Sequence, residues 1–392
     1  MKGKKITRKR FLLAGGGTGG HIYPALSIGR ELLARFPDAE ILFVGGRRGL
    51  EGDLVPKAGF EFRAITVSGF ERKLSLDTVA TAGRAVAGLF QSIAMVRKFR
   101  PNVAVGTGGY ASGPVMLAAA MMGVPVVIHE QNVVPGATNR LLSRWAKTVA
   151  LSWDESKKYL ARPERSVLTG NPIRPEIMTA EREESAASFG LDPRHPTVLA
   201  FGGSQGARKI NTAFIGALPS LAAQHKAQFM LATGSDKFEE SMDLAARVGL
   251  RATISSDGIG RSDSGDIIIM PYIYNMPQAL ACADLVICRA GAITIAELAA
   301  RGVPALLIPH PHVPDNVQEK NARAMEARGA ARVILDGDLD PAVLESEIGS
   351  LLSRASALRE MAEAARGVGQ PDAVRKVADC VVRAAQGVSS KA

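Results

Sequence analysis

At 392 residues, with 46% hydrophobic and 22% charged positions, the chain has the composition of a globular protein, and its length calls for two compact domains. Its 40 glycines follow no collagen period, so they point to many tight turns and exclude both a fibrous and a disordered chain. The net charge of +10 is uneven: residues 1–172 hold 25 Lys and Arg against 12 Asp and Glu, and residues 173–392 hold 23 against 26. A basic first half expects an anionic partner, whether nucleic acid, an anionic membrane or a phosphorylated substrate. Lys2, Lys4, Lys5, Arg8, Lys9 and Arg10 supply part of that charge as a basic N-terminal tail.

In chain order, short β-branched or apolar runs alternate with segments of helical length. The first series of strands is 11–14, 41–44, 62–67, 103–106, 124–129 and 148–151. The second is 198–201, 228–232, 266–270, 285–288, 305–308 and 332–335. This alternation predicts parallel sheets covered by helices on both faces. The apolar run 11–14 ends at once in glycines, too short for a signal peptide, and the run 114–128 is broken by Gly123 and Pro125, so no continuous span is expected. Three cysteines (Cys282, Cys288 and Cys380) without metal-ligand spacing suit a reducing compartment. A cytoplasmic protein with only peripheral membrane contact is therefore expected.

Each half opens alike, with a strand, a glycine-rich turn and a helix: Phe-Leu-Leu-Ala-Gly-Gly-Gly-Thr-Gly-Gly-His (11–21) and Val-Leu-Ala-Phe-Gly-Gly-Ser-Gln-Gly-Ala-Arg (198–208). Between them, Gly170-Asn171-Pro172-Ile173-Arg174-Pro175 reads as a stiff hinge. Two Rossmann-like domains facing across a cleft are predicted, with ligands at the carboxyl ends of the strands.

Glycines 15–20 let backbone approach a diphosphate, and the helix that follows aims free N–H groups at it; a tight structural turn is the alternative. No acidic residue ends the second strand, where Val44-Gly45-Gly46-Arg47-Arg48 stands, which disfavours NAD. His21, at the start of that helix, is a candidate general base. Ile128-His129-Glu130-Gln131-Asn132 ends a buried strand in polar side chains, either facing a ligand or forming a satisfied loop network. The segment 288–297 is again strand, turn and helix: a second diphosphate site, with Glu297 able to accept from ribose hydroxyls. His310 and His312 lack a third metal ligand, and Asp336-Gly337-Asp338 reads better as a turn before a helix near Pro341 than as a cation site. Residues 74–99 combine Leu74, Leu76, Val79, Val86, Leu89, Phe90, Ile93 and Val96 with Arg72, Lys73, Arg84, Arg97, Lys98 and Arg100: an ordinary amphipathic helix or a membrane-facing one.

Together the segments 15–21, 106–110, 129–132, 170–174, 202–208, 288–292 and 315–318 resemble, in order, the MurG family of N-acetylglucosaminyltransferases. The resemblance runs from about residue 10 to 330. It implies the two-Rossmann GT-B fold, an α/β architecture, with an acceptor and membrane-facing domain at 1–172, a UDP-sugar donor domain at 173–366, and a final helix, 367–392, packing back on the first domain. It also implies inverting transfer of N-acetylglucosamine from UDP-N-acetylglucosamine to the 4-hydroxyl of the muramoyl sugar of undecaprenyl-diphospho-muramoyl-pentapeptide, at the inner face of the membrane, with no cofactor, no obligatory metal and no nucleic acid. By resemblance Thr18, Gly19 and Gly20 line the sugar and diphosphate region and Asn132 contacts the donor sugar. Arg174 and Ser204 approach the diphosphate, the backbone of Ile273 reads uracil, and Ala292, Ile293, Thr294, Ile295, Ala296 and Glu297 hold diphosphate and ribose. Gln318 contacts the N-acetylglucosamine. Many family members carry His or Gln where this chain has Val317. Two other classes compete: a UDP-sugar epimerase or different GT-B transferase sharing the donor half, and a non-enzymatic nucleotide or nucleic-acid binder, which the 5% aromatic content disfavours.

Overall fold

The computed structural model describes residues 8–47, 49–67, 76–203 and 205–387, with side chains omitted for 76–85. The chain divides into two α/β units, Met1–Ile173 with Gln370–Ala392, and Arg174–Gly369.

The first unit is built on seven strands: β1 (Arg10–Ala14), β2 (Glu40–Gly46), β3 (Glu61–Ile65), β4 (Val103–Gly106), β5 (Val126–Glu130), β6 (Thr148–Leu151) and β7 (Ser166–Leu168). They lie in the order β3-β2-β1-β4-β5-β6-β7, with every pairing parallel. Both faces are covered, which is why Phe11, Leu12, Leu13 and Ala14 are all buried and the run is continuously apolar instead of alternating. On one face Phe11, Leu13, Val103 and Val105 pack against Ile22 and Ile28 of the helix Gly19–Arg35 and against Val377 and Val381 of the final helix, Ala373–Ala385. That helix buries Ala373, Val377, Ala378, Cys380, Val381 and Ala384, a stripe at three- and four-residue spacing. Arg35 fastens it by pairing with Asp379. On the other face Leu12, Ala14, Ala104 and Ile128 meet Val96 of the helix Leu76–Phe99 and Val115, Met116 and Ala119 of the helix Ser112–Met121.

The second unit carries β8 (Thr197–Phe201), β9 (Gln228–Ala232), β10 (Ala252–Ile254), β11 (Gly260–Ser262), β12 (Ile267–Met270), β13 (Leu285–Cys288), β14 (Ala305–Leu307) and β15 (Ala331–Val333). Their order is β10-β11-β12-β9-β8-β13-β14-β15. Only β10–β11 and β11–β12 are antiparallel. Phe214, Phe229, Ile287, Leu306 and Leu344 belong to its core.

Every strand expected from the sequence is present. β7, β10 and β11 were not expected: each has three residues, none is fully buried, and the edge strand β10 and its neighbour β11 flank the turn sequence Ser255-Ser256-Asp257-Gly258 without an apolar run. Set side by side, the sheets share one permutation. β3-β2-β1-β4-β5-β6 in the first matches β12-β9-β8-β13-β14-β15 in the second. In each, the order reverses beside the opening strand, so the helices after β1 and β4, and after β8 and β13, leave opposite faces and part at a crevice.

Candidate functional site

In the second unit the register brings five strand ends into one row, because Met270 pairs with Ala232, Ala232 with Phe201, Phe201 with Cys288, and Cys288 with Leu307. The turns that follow these residues therefore leave the sheet side by side. The turn after β8 tolerates only glycine at Gly206: its φ is +68°, and a Cβ there would sit 1.8 Å from the Thr233 carbonyl oxygen. Lys237 Nζ donates to the Gln205 carbonyl at 2.7 Å and Asn211 Nδ2 to that of Thr233 at 2.9 Å, so the turn is held from behind. Ser204 lies outside the described residues.

The turn after β13 leads into the helix Ala292–Arg301, whose N-cap Gly291 has extended backbone and gives no side-chain hydrogen bond to the first turn. Among the described residues its leading N–H groups have no hydrogen-bond partner, and with the positive end of the helix dipole they make a candidate anion site. Ala292, Ile293, Thr294 and Ala296 are half-buried, whereas Ile295 is buried and its side chain belongs to the interior. Glu297 is only 4% exposed. Its Oε1 accepts from Arg174 Nε at 2.9 Å and Nη2 at 2.8 Å, and among the described residues Oε2 accepts no hydrogen bond. Burial raises the Glu297 pKa, and the Arg174 guanidinium pulls it back.

Arg289 braces the neighbouring loop, donating from Nη1 to the Ile308 carbonyl at 3.1 Å and to Asp336 Oδ1 at 2.6 Å. Asp336 is thus spent on an ion pair, and the helix Pro341–Leu352 is capped by Asp340, which accepts from the Val343 N–H at 2.8 Å. Gln318 is half-buried, and its Oε1 accepts from the His310 N–H at 2.9 Å. His310 Nδ1 accepts in turn from the His312 N–H at 3.0 Å. Ile273, just past β12, is buried between Tyr272 and the exposed Tyr274.

In the first unit Ala14 and Gly106 end β1 and β4 as register partners, so the turns at 15–18 and 107–110 adjoin. They touch through backbone: a Cβ on Gly109 would lie 2.1 Å from the Gly16 carbonyl oxygen. Thr18 is the N-cap of the helix Gly19–Arg35 but its hydroxyl caps nothing; Thr18 and Gly20 are exposed and Gly19 half-buried. His21 is half-buried. Its Nδ1 lies 2.9 Å from the Thr107 carbonyl oxygen, and Thr107 Oγ1 donates back to the His21 carbonyl at 2.7 Å. A carbonyl can only accept, so Nδ1 carries a proton, and in the neutral ring the lone pair is on Nε2.

Of the polar run after β5, His129, Glu130 and Gln131 are buried and engaged in the interior. Gln131 Nε2 donates to the Thr107 carbonyl at 2.6 Å. His129 Nε2 donates to the Gly170 carbonyl at 3.0 Å. Glu130 gathers the loop, accepting from the Asn132 N–H at 3.0 Å, the Gly136 N–H at 3.1 Å and Asn139 Nδ2 at 2.9 Å. These three form a loop network in which, among the described residues, Gln131 Oε1 is left without a partner, and Asn132 alone of the run is half-buried. Sequence reasoning missed Thr107, Arg289 and Glu51. Thr107 and Arg289 act through the chain fold, and nothing local to either residue signals it.

A glycine turn and a helix tip lie side by side at the switch point of one sheet, and a half-buried histidine stands at that of the other. Residues 11–151 match the glycosyltransferase family 28 N-terminal domain and residues 197–377 its C-terminal domain. The UDP-N-acetylglucosamine--N-acetylmuramyl-(pentapeptide) pyrophosphoryl-undecaprenol N-acetylglucosamine transferase of Desulforamulus reducens is 45% identical over 372 residues, which is 95% of this chain and 98% of that protein. The crystal structure of MurG from Acinetobacter baumannii superposes with a TM-score of 0.74 at 29% identity, covering 96% of this chain and 99% of that one. A UDP-GlcNAc 2-epimerase from Neisseria meningitidis, at 13% identity and a TM-score of 0.67 over 96% of this chain and 100% of that one, shares the fold alone. The chain belongs to the UDP-N-acetylglucosamine--N-acetylmuramyl-(pentapeptide) pyrophosphoryl-undecaprenol N-acetylglucosamine transferase family. It is an enzyme, and the binding-protein and epimerase alternatives fall away.

The buried His129 gives a prediction. Burial lowers its pKa to about 4 from the ordinary 6.5. Below pH 6.5 the unfolded chain binds a proton that the folded chain refuses until about pH 4, so stability falls as pH drops through that window, by on the order of 3 kcal/mol in all. His129→Gln is expected to flatten this acid limb in denaturant unfolding followed across that range. An unchanged limb would show that His129 does not carry it.

Proposed function

We propose that the enzyme transfers N-acetylglucosamine, with inversion, from UDP-N-acetylglucosamine to the 4-hydroxyl of the muramoyl sugar of an undecaprenyl-diphospho-muramoyl-pentapeptide. The observation that carries the donor half is the row of strand ends in the second unit, with a helix tip whose first amides have no partner among the described residues and a buried Glu297 held by the half-buried Arg174. The donor diphosphate lies against the tip at Ala292–Thr294 and the turn around Gly203 and Ser204. Arg174 has Nη1 free among the described residues and extends it to the diphosphate. Glu297, gripped through Oε1, keeps Oε2 for the ribose hydroxyls. The Ile273 backbone meets uracil, and Gln318 meets the sugar.

The reaction is a single displacement. The acceptor oxygen forms a bond to the anomeric carbon, the bond from that carbon to the diphosphate oxygen breaks, and UDP departs with the electron pair. Negative charge grows on the diphosphate, where the helix dipole, its amides and Arg174 stabilise it most at the transition state. No cofactor enters the proposal. The acceptor proton goes to His21 Nε2, the nitrogen that the Thr107 carbonyl leaves unprotonated.

The membrane half rests on surface chemistry in the first unit. Val86, Phe90, Met121 and Met122 are exposed on the adjoining helices 76–99 and 112–121 and their ends, with Arg97, Lys98 and Arg100 at the end of the first. Arg140, Arg144 and Lys158 line a groove of about 400 Å³ with Leu141 and Tyr159, near the exposed Trp145. Leu74, Arg72 and Lys73 lie outside the described residues, as do Lys2, Lys4 and Lys5, and the side chains of Leu76, Val79 and Arg84 are not described. Among the described residues no helix is long and apolar enough to cross a membrane. The proposed place is peripheral, on the cytoplasmic face of the inner membrane.

Two measurements test this. His21→Asn is expected to lower kcat by about 100-fold or more with the KM for UDP-N-acetylglucosamine unchanged; full turnover would remove His21 from the role of base. Binding to anionic vesicles is expected to weaken steadily as salt rises, and binding that ignores salt, or none, would count against the basic surface.

A further inference from the structure

The first residue of the helix Glu51–Lys57 has an ionisable side chain with no access to water: Glu51 is 0% exposed. A buried carboxylate must be repaid by hydrogen bonds. Its Oε1 accepts from the Gly46 N–H at 2.8 Å and its Oε2 from the Gly17 N–H at 3.1 Å. The backbone is wrapped around it: a Cβ on Gly16 would lie 2.3 Å from Oε1, one on Gly45 2.4 Å from Cγ, and one on Gly49 2.0 Å from Oε2. The Tyr110 ring closes the remaining side, 2.7 Å from where a Cβ on Gly17 would sit and 3.0 Å from one on Gly46. Burial and the charge of Glu51 raise the Tyr110 pKa.

A glycine turn at a strand end usually turns its amides toward an external anion. Here a side chain of the same chain takes that place. The consequence reaches His21 in short steps. Gly17, at φ +90°, precedes Thr18, and the Thr18 carbonyl accepts from the N–H groups of His21 at 3.1 Å and Ile22 at 3.2 Å. Whatever pins Gly17 sets the start of the helix that carries the histidine.

We propose that Glu51 is an internal anion that preforms the first glycine turn. It acts as a positioning residue for Thr18–His21, and it withdraws the Gly17 amide from any substrate phosphate. The proposal rests on the reaction assigned above. Glu51→Gln keeps the shape but offers an NH2 where an N–H must be accepted, leaving one buried amide without a partner. It is expected to lower kcat about tenfold or more while the KM for UDP-N-acetylglucosamine stays within about twofold. Glu51→Ala removes a fragment with the shape of acetate. Added acetate, compared with chloride at equal ionic strength, is expected to restore part of its kcat and to raise its Tm, since a ligand that binds only the folded state stabilises it. A Glu51→Gln enzyme with wild-type kcat would overturn the proposal, as would a Glu51→Ala enzyme whose turnover and Tm both ignore acetate. The Tm arm needs no turnover, so it separates failure of this proposal from failure of the assigned reaction, which would instead show as a wild-type enzyme that transfers no sugar.

Discussion

Everything in the second unit follows from strands that end together. Phe201 lies opposite Cys288, and their neighbours Ala232, Met270 and Leu307 fall in the same register. Because the strand order reverses between β8 and β13, the helices that follow leave opposite faces, and their N-termini are left without cover. Unpaired amides cannot stay that way in a dry interior. At the mouth of a crevice they become a site for an anion. Gly206 is there because nothing larger lets the turn lie against Thr233.

The first unit repeats the geometry and reverses its use. Its opening turn also sits at a switch point, and it also needs glycine where Gly109 meets Gly16. But the charge slot is filled from within by Glu51, and the turn instead presents Thr18 and His21. In the proposed reaction one fold is used twice, once to receive negative charge and once to receive a proton. The division is electrostatic, and single side chains decide it: a buried Glu297 paired with the half-buried Arg174 in one, and in the other a buried Glu51 with no cation partner among the described residues.

Much of this was legible before any coordinates. Strands buried on both faces are written as unbroken apolar runs, so Phe11–Ala14 and Thr197–Phe201 announce themselves. Strand, glycine turn and helix in succession mark the anion sites. The edge hairpin of β10 and β11 was not legible, because short exposed strands are nearly indistinguishable from turns. Partnerships across long separations were hidden as well. Arg174 and Glu297 are 123 positions apart, and nothing local to either residue says they meet. Glu51 reads as an ordinary acidic residue complementing a helix N-terminus; only the fold turns its carboxylate back onto Gly17 and Gly46. For His129 and Gln131 the sequence leaves ligand contact and loop support equally open, because polarity at a strand end is ambiguous between the two.

The account stands on the donor diphosphate being held by the second unit's row of strand ends. Hydrogen exchange of the wild-type enzyme with and without UDP-N-acetylglucosamine measures this directly. Slower exchange confined to residues 202–207, 272–275, 289–297 and 308–318 is the expected result. Protection confined to 15–21 and 107–110, with none in the second unit, would contradict it.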